Sequence, residues 1–255
     1  MLKPMWEPAL LAIVIVAFFL AGLVKGLVGM GLPTVALALL ATMIDLKEAI
    51  PLVLVPSLAT NLVQAVTGGA LKAILARLWP LLLAALVCIW LGAGFLVGLD
   101  ARLLSGLFGV LLAVYALVSL TIPQVPAPGR HERWLSPVIG GLTGIVTGLT
   151  GSFVFPSVLY LQALGLPRDV LIQAMGVVFM VATLGLGVGL AGHNLLPTQS
   201  GLLSAVALVP ALLGMFAGQQ VRRRFSEQRF RQLFFLALVA LGAYLALAAL
   251  VKLAL

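Results

Sequence analysis

Apolar residues run through this chain in long stretches, at about 8–28, 31–44, 49–67, 78–98, 103–121, 135–149, 152–164, 170–191, 201–220 and 230–251. Most approach the ~20 residues that an α-helix needs to cross the hydrocarbon core of a bilayer. The second, sixth and seventh are shorter, equivalent to about 20 Å of helix, and predict tilted short spans or half-helices that enter and return. Breaks between the runs carry turn chemistry or charge, as at Gly29–Gly31, Asp45–Glu48, Gly68–Gly69, Asp100–Arg102 and Gly165–Arg168. The pattern predicts an all-α, polytopic transmembrane bundle of about eight to ten membrane segments, some of them broken or re-entrant.

The longest polar connection, Pro123 to Trp134, falls almost at the centre of the chain and contains Arg130-His131-Glu132-Arg133. It divides the sequence into a first membrane repeat, 1–121, a linker, 122–134, and a second membrane repeat, 135–255. The halves share features in order. Gly22, Gly26 and Gly29 recur as Gly144, Gly148 and Gly151 at a constant offset of 122, each set followed by a proline, Pro33 or Pro156. Lys47-Glu48-Ala49 matches Arg168-Asp169-Val170, Leu91-Gly92 matches Leu213-Gly214, and the stretch from Arg102 to Phe108 matches that from Arg229 to Phe235. Ordered matches of this kind indicate an internal repeat.

Composition agrees with a membrane environment. Hydrophobic residues make up 63% of the 255 and charged residues 9%, and mean hydropathy is +1.23. Soluble domains carry about 25% charged residues, so this chain lacks the polar surface to cover a core in water. The net charge of +8 sits in short loops, which argues for membrane orientation and against nucleic acid. If each glycine-rich region turns the chain back, one face holds Lys72, Arg77, Arg130, Arg133, Arg168, Arg222, Arg223, Arg224, Arg229 and Arg231. The other holds Lys3, Lys47, Arg102 and Lys252. Ten against four is the asymmetry expected of a cytoplasmic face, which puts both termini on the non-cytoplasmic side. Matching loops of the two halves then carry opposite charge, as inverted repeats should. The N-terminal run lacks a small-residue cleavage site and reads as a first membrane segment.

Inverted-repeat transporters place substrate near the midplane, where broken helices expose their ends. The glycine-rich stretches 22–31 and 144–153 are the candidate breaks, with Gly26, Gly29 and Gly31 in one and Gly148 and Gly151 in the other. Glycine there would let backbone N–H groups approach an anion. Lys25 is the one basic residue inside such a stretch, and an ionisable group at that depth is a functional hypothesis by default; the alternative is a lysine that caps a helix end and reaches to the interface. Its counterpart is Thr147, flanked by Thr143, Thr150 and Ser152, whose hydroxyls could serve an anion or simply bond a backbone carbonyl. Ser57, Thr60, Asn61 and Gln64 form a second polar cluster at helical spacing, with Pro56 expected to kink the segment. Gln173 and Thr183 make a weaker counterpart.

All seven acidic residues lie in loops or at run ends, so a carboxylate proton relay inside the bundle has no support. His131 and His193 are isolated in loops and Cys88 is the single cysteine; no metal, cofactor or nucleophilic triad is expected. Arg222-Arg223-Arg224 reads as an orientation anchor touching lipid headgroups, and Gly185, Gly187 and Gly189 as packing positions.

Gly22-x-x-Lys25-Gly26-x-x-Gly29-x-Gly31, the region Ala49 to Asn61 with Pro56-Ser57, and the second glycine-rich copy at 144–151 resemble the TauE/SafE family of sulfite exporter-like permeases. Length, duplicated halves and central polar loop are similar too, so the resemblance spans essentially the whole chain. The second copy departs from the first, with Thr147 for the lysine and Phe153 for the third glycine. The resemblance implies movement, notably export, of small anions such as sulfite and organosulfonates across a bacterial inner membrane. The residues themselves point to an anion and leave its chemistry open. A membrane-embedded enzyme acting on a lipid phosphate, and a non-catalytic membrane subunit, are the alternatives. The first would need a general acid or base at depth. The expected partners are the anionic substrate and membrane lipid, with the number of chains open and a homodimer among the arrangements.

Overall fold

The computed structural model describes residues 7–122, 125–222 and 227–254. Ten helices follow the ten apolar runs: α1 (Pro8–Val28), α2 (Leu32–Leu40), α3 (Leu46–Val66), α4 (Leu71–Gly98), α5 (Ala101–Thr121), α6 (Glu132–Thr150), α7 (Ser157–Ala163), α8 (Arg168–Gly192), α9 (Thr198–Arg222) and α10 (Glu227–Ala254). Among the described residues, seven of these are long and apolar enough to cross a membrane: α1, α3, α4, α5, α8, α9 and α10. The chain is an all-helical, multi-pass integral membrane protein.

Local chemistry explains where the helices stop. Gly29, Gly31 and Gly151 have φ of 85°, 96° and 72°, a left-handed conformation that glycine adopts without a Cβ clash. The Gly29 and Gly151 N–H groups donate to the Lys25 and Thr147 carbonyls, closing α1 and α6. Pro33 starts α2 in the first turn, where its missing N–H costs nothing. Asp100 caps α5 by accepting from the Arg102 N–H at 2.7 Å. The expected distortion near Pro56 is a 3-10 turn at Ile50–Val53, just ahead of it. The breaks are shorter than the sequence suggests. Residues 22–28 and 144–150 are helical, so the chain departs from helix only after Val28 and Thr150. Lys3, Arg223 and Arg224, counted in the charge asymmetry, lie outside the described residues.

The short helices α2 and α7 are almost entirely buried within the bundle, as half-helices wrapped by full spans. Around them α4 packs on α6, α1 on α9, α5 on α10 and α3 on α8, with α8 also on α4 and α9 on α3. Exchange of the first five helices with the last five returns the same set of pairs. The chain direction differs between equivalents. Glu7, Lys47, Arg102, Gln199 and Lys252 line one depression of about 830 Å³, so α1 starts at that end. Arg77, Arg130, Glu132 and Arg133 gather elsewhere, so α6 starts there. Helix α4 carries Arg77 near its start and reaches Val97, whose carbonyl accepts from Lys47, near its finish; the roughly 20 residues between them separate the two ends by about 30 Å.

Glycine makes the α1–α9 and α4–α6 pairings close. A Cβ built on Gly22 would fall 2.1 Å from the Ala211 carbonyl oxygen, and on Gly26 2.2 Å from that of Met215. In the other pair, a Cβ on Gly140 would meet the Leu81 oxygen at 2.3 Å and on Gly148 the Ile89 oxygen at 2.5 Å. These are the backbone-to-backbone approaches by which membrane helices associate without a hydrophobic driving force. Gly185 and Gly189 pack against α4 through its side chains, Leu86 at 2.9 Å and Ala93 at 3.1 Å from the built Cβ. Gly26→Leu should therefore lower stability by about 1–3 kcal/mol through overpacking. Gly201→Ala, where the added Cβ meets nothing within 4 Å, should be neutral or stabilising by helix propensity. Thermal unfolding of both variants in detergent checks the contrast.

Candidate functional site

Lys25 lies on the last turn of α1 at 4% exposure, the one charged side chain in the buried interior among the described residues. The parallel descent of α1 and α3 brings it opposite Asn61, whose Oδ1 accepts from the Lys25 ammonium. Asn61 in turn donates from Nδ2 to the Thr183 hydroxyl on α8 at 3.4 Å, and Thr183 donates to the Phe179 carbonyl at 2.6 Å. Three helices are thus tied by one polar chain at the place where α3 crosses α8. One turn along α3, Gln64 Nε2 donates to the Gly29 carbonyl at 2.8 Å and fixes the end of α1.

Ser57, Asn61 and Gln64 stand four and three residues apart, on one face of α3. Ser57 Oγ and Gln64 Oε1 are buried and make no hydrogen bond with the described residues. Buried polar atoms are nearly always paired, so a hydroxyl and an amide oxygen on the Asn61 face of α3 remain without a partner among the described residues. No carboxylate pairs with Lys25. The ion pair among the described residues is Arg77 with Glu132, two hydrogen bonds of 2.6 and 2.8 Å at the basic end of the molecule. Buried acids are absent among the described residues. A protonated lysine in a low-dielectric interior costs several kcal/mol unless charge or hydrogen bonds compensate it. Asn61 offers a dipole and no charge. Lys25 meets the carbonyl oxygen of the Asn61 amide, whose N–H is turned to Thr183, and Ser57 lies one turn earlier on the same face of α3.

In the second glycine region most hydroxyls are already bonded, while Thr143 Oγ1 is buried without a partner among the described residues. Thr147 donates to the Thr143 carbonyl at 2.7 Å, Thr150 to the Val146 carbonyl at 2.7 Å, and Ser152 Oγ is 3.1 Å from the Thr34 hydroxyl. These hydroxyls bond backbone and neighbouring helix, the structural alternative for threonine in a membrane helix. The expectation of one shared site made by both breaks is not met. Gly29 lies against Gln64, near the finish of α3, while Gly151 lies against Ile50, near its start, which sets the breaks about 20 Å apart along that helix. Gly26 and Gly148 are corrected from ligand-approach to helix-packing positions, because a backbone carbonyl already occupies the space beside each Cα. Gly31 has Phe234, Val24 and Val35 around it and serves as the turn into α2.

The structure thus joins Lys25 to Asn61, sets Ser57 and Gln64 on the same face of α3, and keeps Thr147, Thr150 and Ser152 in the second glycine region. Thr183, of the weaker counterpart cluster, joins Asn61 and stands 122 residues after it, the offset of the glycine repeat. The two are equivalent positions that touch where the halves meet, and the repeat offset alone could have paired them.

A family model described as Sulfite exporter TauE/SafE matches residues 14–245 of the chain, a span that includes every residue of the Lys25 cluster. Neither a curated protein nor a solved structure matches it.

Removing either partner of the central contact should be costly. Asn61→Leu strands the ammonium and Lys25→Met strands the amide, each by about 1–3 kcal/mol. The double variant should recover much of that loss, a coupling expected for groups in direct contact. Unfolding titrations of the four proteins in mixed micelles measure the coupling, and strictly additive losses would show that the contact carries no energy.

Proposed function

We propose that this chain, which belongs to the Sulfite exporter TauE/SafE family, moves small oxyanions of the sulfite or organosulfonate type through the Lys25 cluster. The chain is a membrane transporter and not an enzyme. The observation that carries the anion reading is the buried lysine without an acidic partner. An anion arriving beside Lys25 supplies the missing countercharge and turns an unfavourable burial into a favourable one. Charge-assisted bonds from Lys25 then hold one oxygen. In this reading the Asn61 amide and the Ser57 hydroxyl donate to others, as a tetrahedral or pyramidal oxyanion requires.

Release follows from alternating access between two repeats, 1–121 and 135–255, joined by 122–134 and inverted in the membrane. Support comes from the helix pairs that exchange into one another and from α1 and α6 starting at opposite ends. Orientation in a bacterial inner membrane, termini on the non-cytoplasmic side and movement outward, is supported by charge. Arg77, Arg130 and Arg133 gather at one end with a single acid, whereas Lys47, Arg102 and Lys252 at the other are accompanied by Glu7, Asp45 and Glu48. Arginine-rich loops stay cytoplasmic. The glycines Gly29, Gly31 and Gly151 contribute as pivots at the ends of α1 and α6, with Thr147, Thr150 and Ser152 holding the second pivot.

Reconstituted protein should show saturable flux of sulfite or of a short alkylsulfonate into proteoliposomes. Lys25→Ala should reduce it about tenfold or more, the worth of one charge-assisted hydrogen bond, and Asn61→Ala should raise the half-saturating concentration. Unchanged saturable flux in Lys25→Ala would remove Lys25 from the mechanism. Transport of a carboxylate of similar size with equal efficiency would leave the anion reading and overturn the sulfur-oxyanion assignment.

A further inference from the structure

Between α4 and the start of α6 runs a groove of about 1080 Å³ with two distinct chemistries. Its mouth is basic. Arg130 and Arg133 are exposed there, beside the Arg77–Glu132 pair. That pair is internally neutral, so the two further arginines leave the mouth with an excess of positive charge. Its wall is apolar, formed by Trp79, Leu83 and Val87 of α4, which are 60%, 55% and 57% exposed.

Two further observations fix the scale. Trp79 and Trp134, 60% and 55% exposed, lie at the basic end. Exposed tryptophans of a membrane protein collect at headgroup level, which puts Arg130 and Arg133 among headgroups and the groove in the hydrocarbon. From Ala76 to Val87 the groove follows α4 for about 17 Å, close to the ~15 Å depth of one leaflet's hydrocarbon. A groove as deep as a leaflet, apolar along its length and cationic at its mouth, has the two-part chemistry of a lipid. Basic pockets between membrane helices recognise anionic headgroups.

We infer that this groove holds one anionic glycerophospholipid, its phosphate on Arg130 and Arg133 and an acyl chain along Trp79, Leu83 and Val87. The lipid bridges α4 to the connection that leads into α6, beside the ion pair that already joins them. It is separate from the Lys25 cluster and does not depend on the transported anion.

The test uses the full-length protein, delipidated in detergent. It is titrated with dioleoyl phosphatidylglycerol, dioleoyl phosphatidylcholine or inorganic phosphate, and read by native mass spectrometry and thermal unfolding. Phosphatidylglycerol should form a one-to-one adduct and raise the unfolding temperature, with at least fivefold less adduct for phosphatidylcholine. Arg130→Gln combined with Arg133→Gln should abolish that preference. These side chains are exposed, so the variant should fold, and size-exclusion chromatography verifies it. Leu83→Trp, which fills the groove and keeps the arginines, should also weaken the adduct at least fivefold. Equal binding of the two lipids, or undiminished phosphatidylglycerol binding in either variant, would overturn the inference. Protection by inorganic phosphate equal to that by phosphatidylglycerol would reduce the site to a surface anion site and overturn the lipid. A wild-type dimer that Leu83→Trp converts to monomer would assign the groove to a second copy of the chain instead.

Discussion

Lipid gives helices no hydrophobic reason to associate, so this bundle depends on how closely its backbones can approach. Gly22 and Gly26 let α1 rest on the carbonyls of α9, and Gly140, Gly144 and Gly148 do the same for α6 on α4. Each contact joins a helix of one half to a helix of the other. The halves are therefore clasped twice, on either side of α3 and α8, and a crossing between those two central helices is what remains for them. A side chain larger than hydrogen at any of these glycines would wedge a clasp open and move the crossing with it.

That crossing is where polarity is concentrated, and the concentration is one-sided. Lys25, Ser57 and Gln64 come from the first half, and the positions 122 residues later are Thr147, Phe179 and Leu186. Thr147 satisfies itself on its own helix, while Phe179 stacks at 4.9 Å from Phe153. At the crossing the Asn61–Thr183 contact joins polar side chains of both halves, and Gln173 of the second half donates to the Ala65 carbonyl at 2.8 Å. On the proposed reading the two repeats form the frame, and substitution within one copy gives the single site.

The helices were legible because the features that end them are local. A left-handed glycine, a proline at a first turn or a charged pair marks each boundary in the sequence, and the ten runs became ten helices within a few residues. Lys25 and Asn61 were legible for a similar reason: a charge or an amide has few explanations inside an apolar run. Glycine was ambiguous. A missing side chain leaves room for either a ligand or a neighbouring backbone, and which of them arrives depends on helices some 190 residues away, as with Gly22 and Ala211. The 22–31 stretch was accordingly read as one long break, when its first two glycines are helix contacts and only its last two are turns. Placing the two breaks together failed for a related reason. Periodicity says which face a residue occupies but not at what height, and the opposed starts of α1 and α6 carry Gly29 and Gly151 towards different ends of α3.

The unpartnered ammonium also has an electrical consequence. On the proposed reading, and for Lys25 in its protonated form, a monoanion beside it makes the interior neutral, whereas without the anion the interior carries one positive charge. If the halves carry Lys25 through part of the bilayer between their two orientations, the membrane voltage does work on the vacant form and none on the loaded one. One elementary charge crossing the full field corresponds to about 2.3 kcal/mol per 100 mV. On the proposed reading Lys25 would then act as a gating charge as well as a ligand, and voltage would bear on the return of the empty form rather than on the movement of the loaded one.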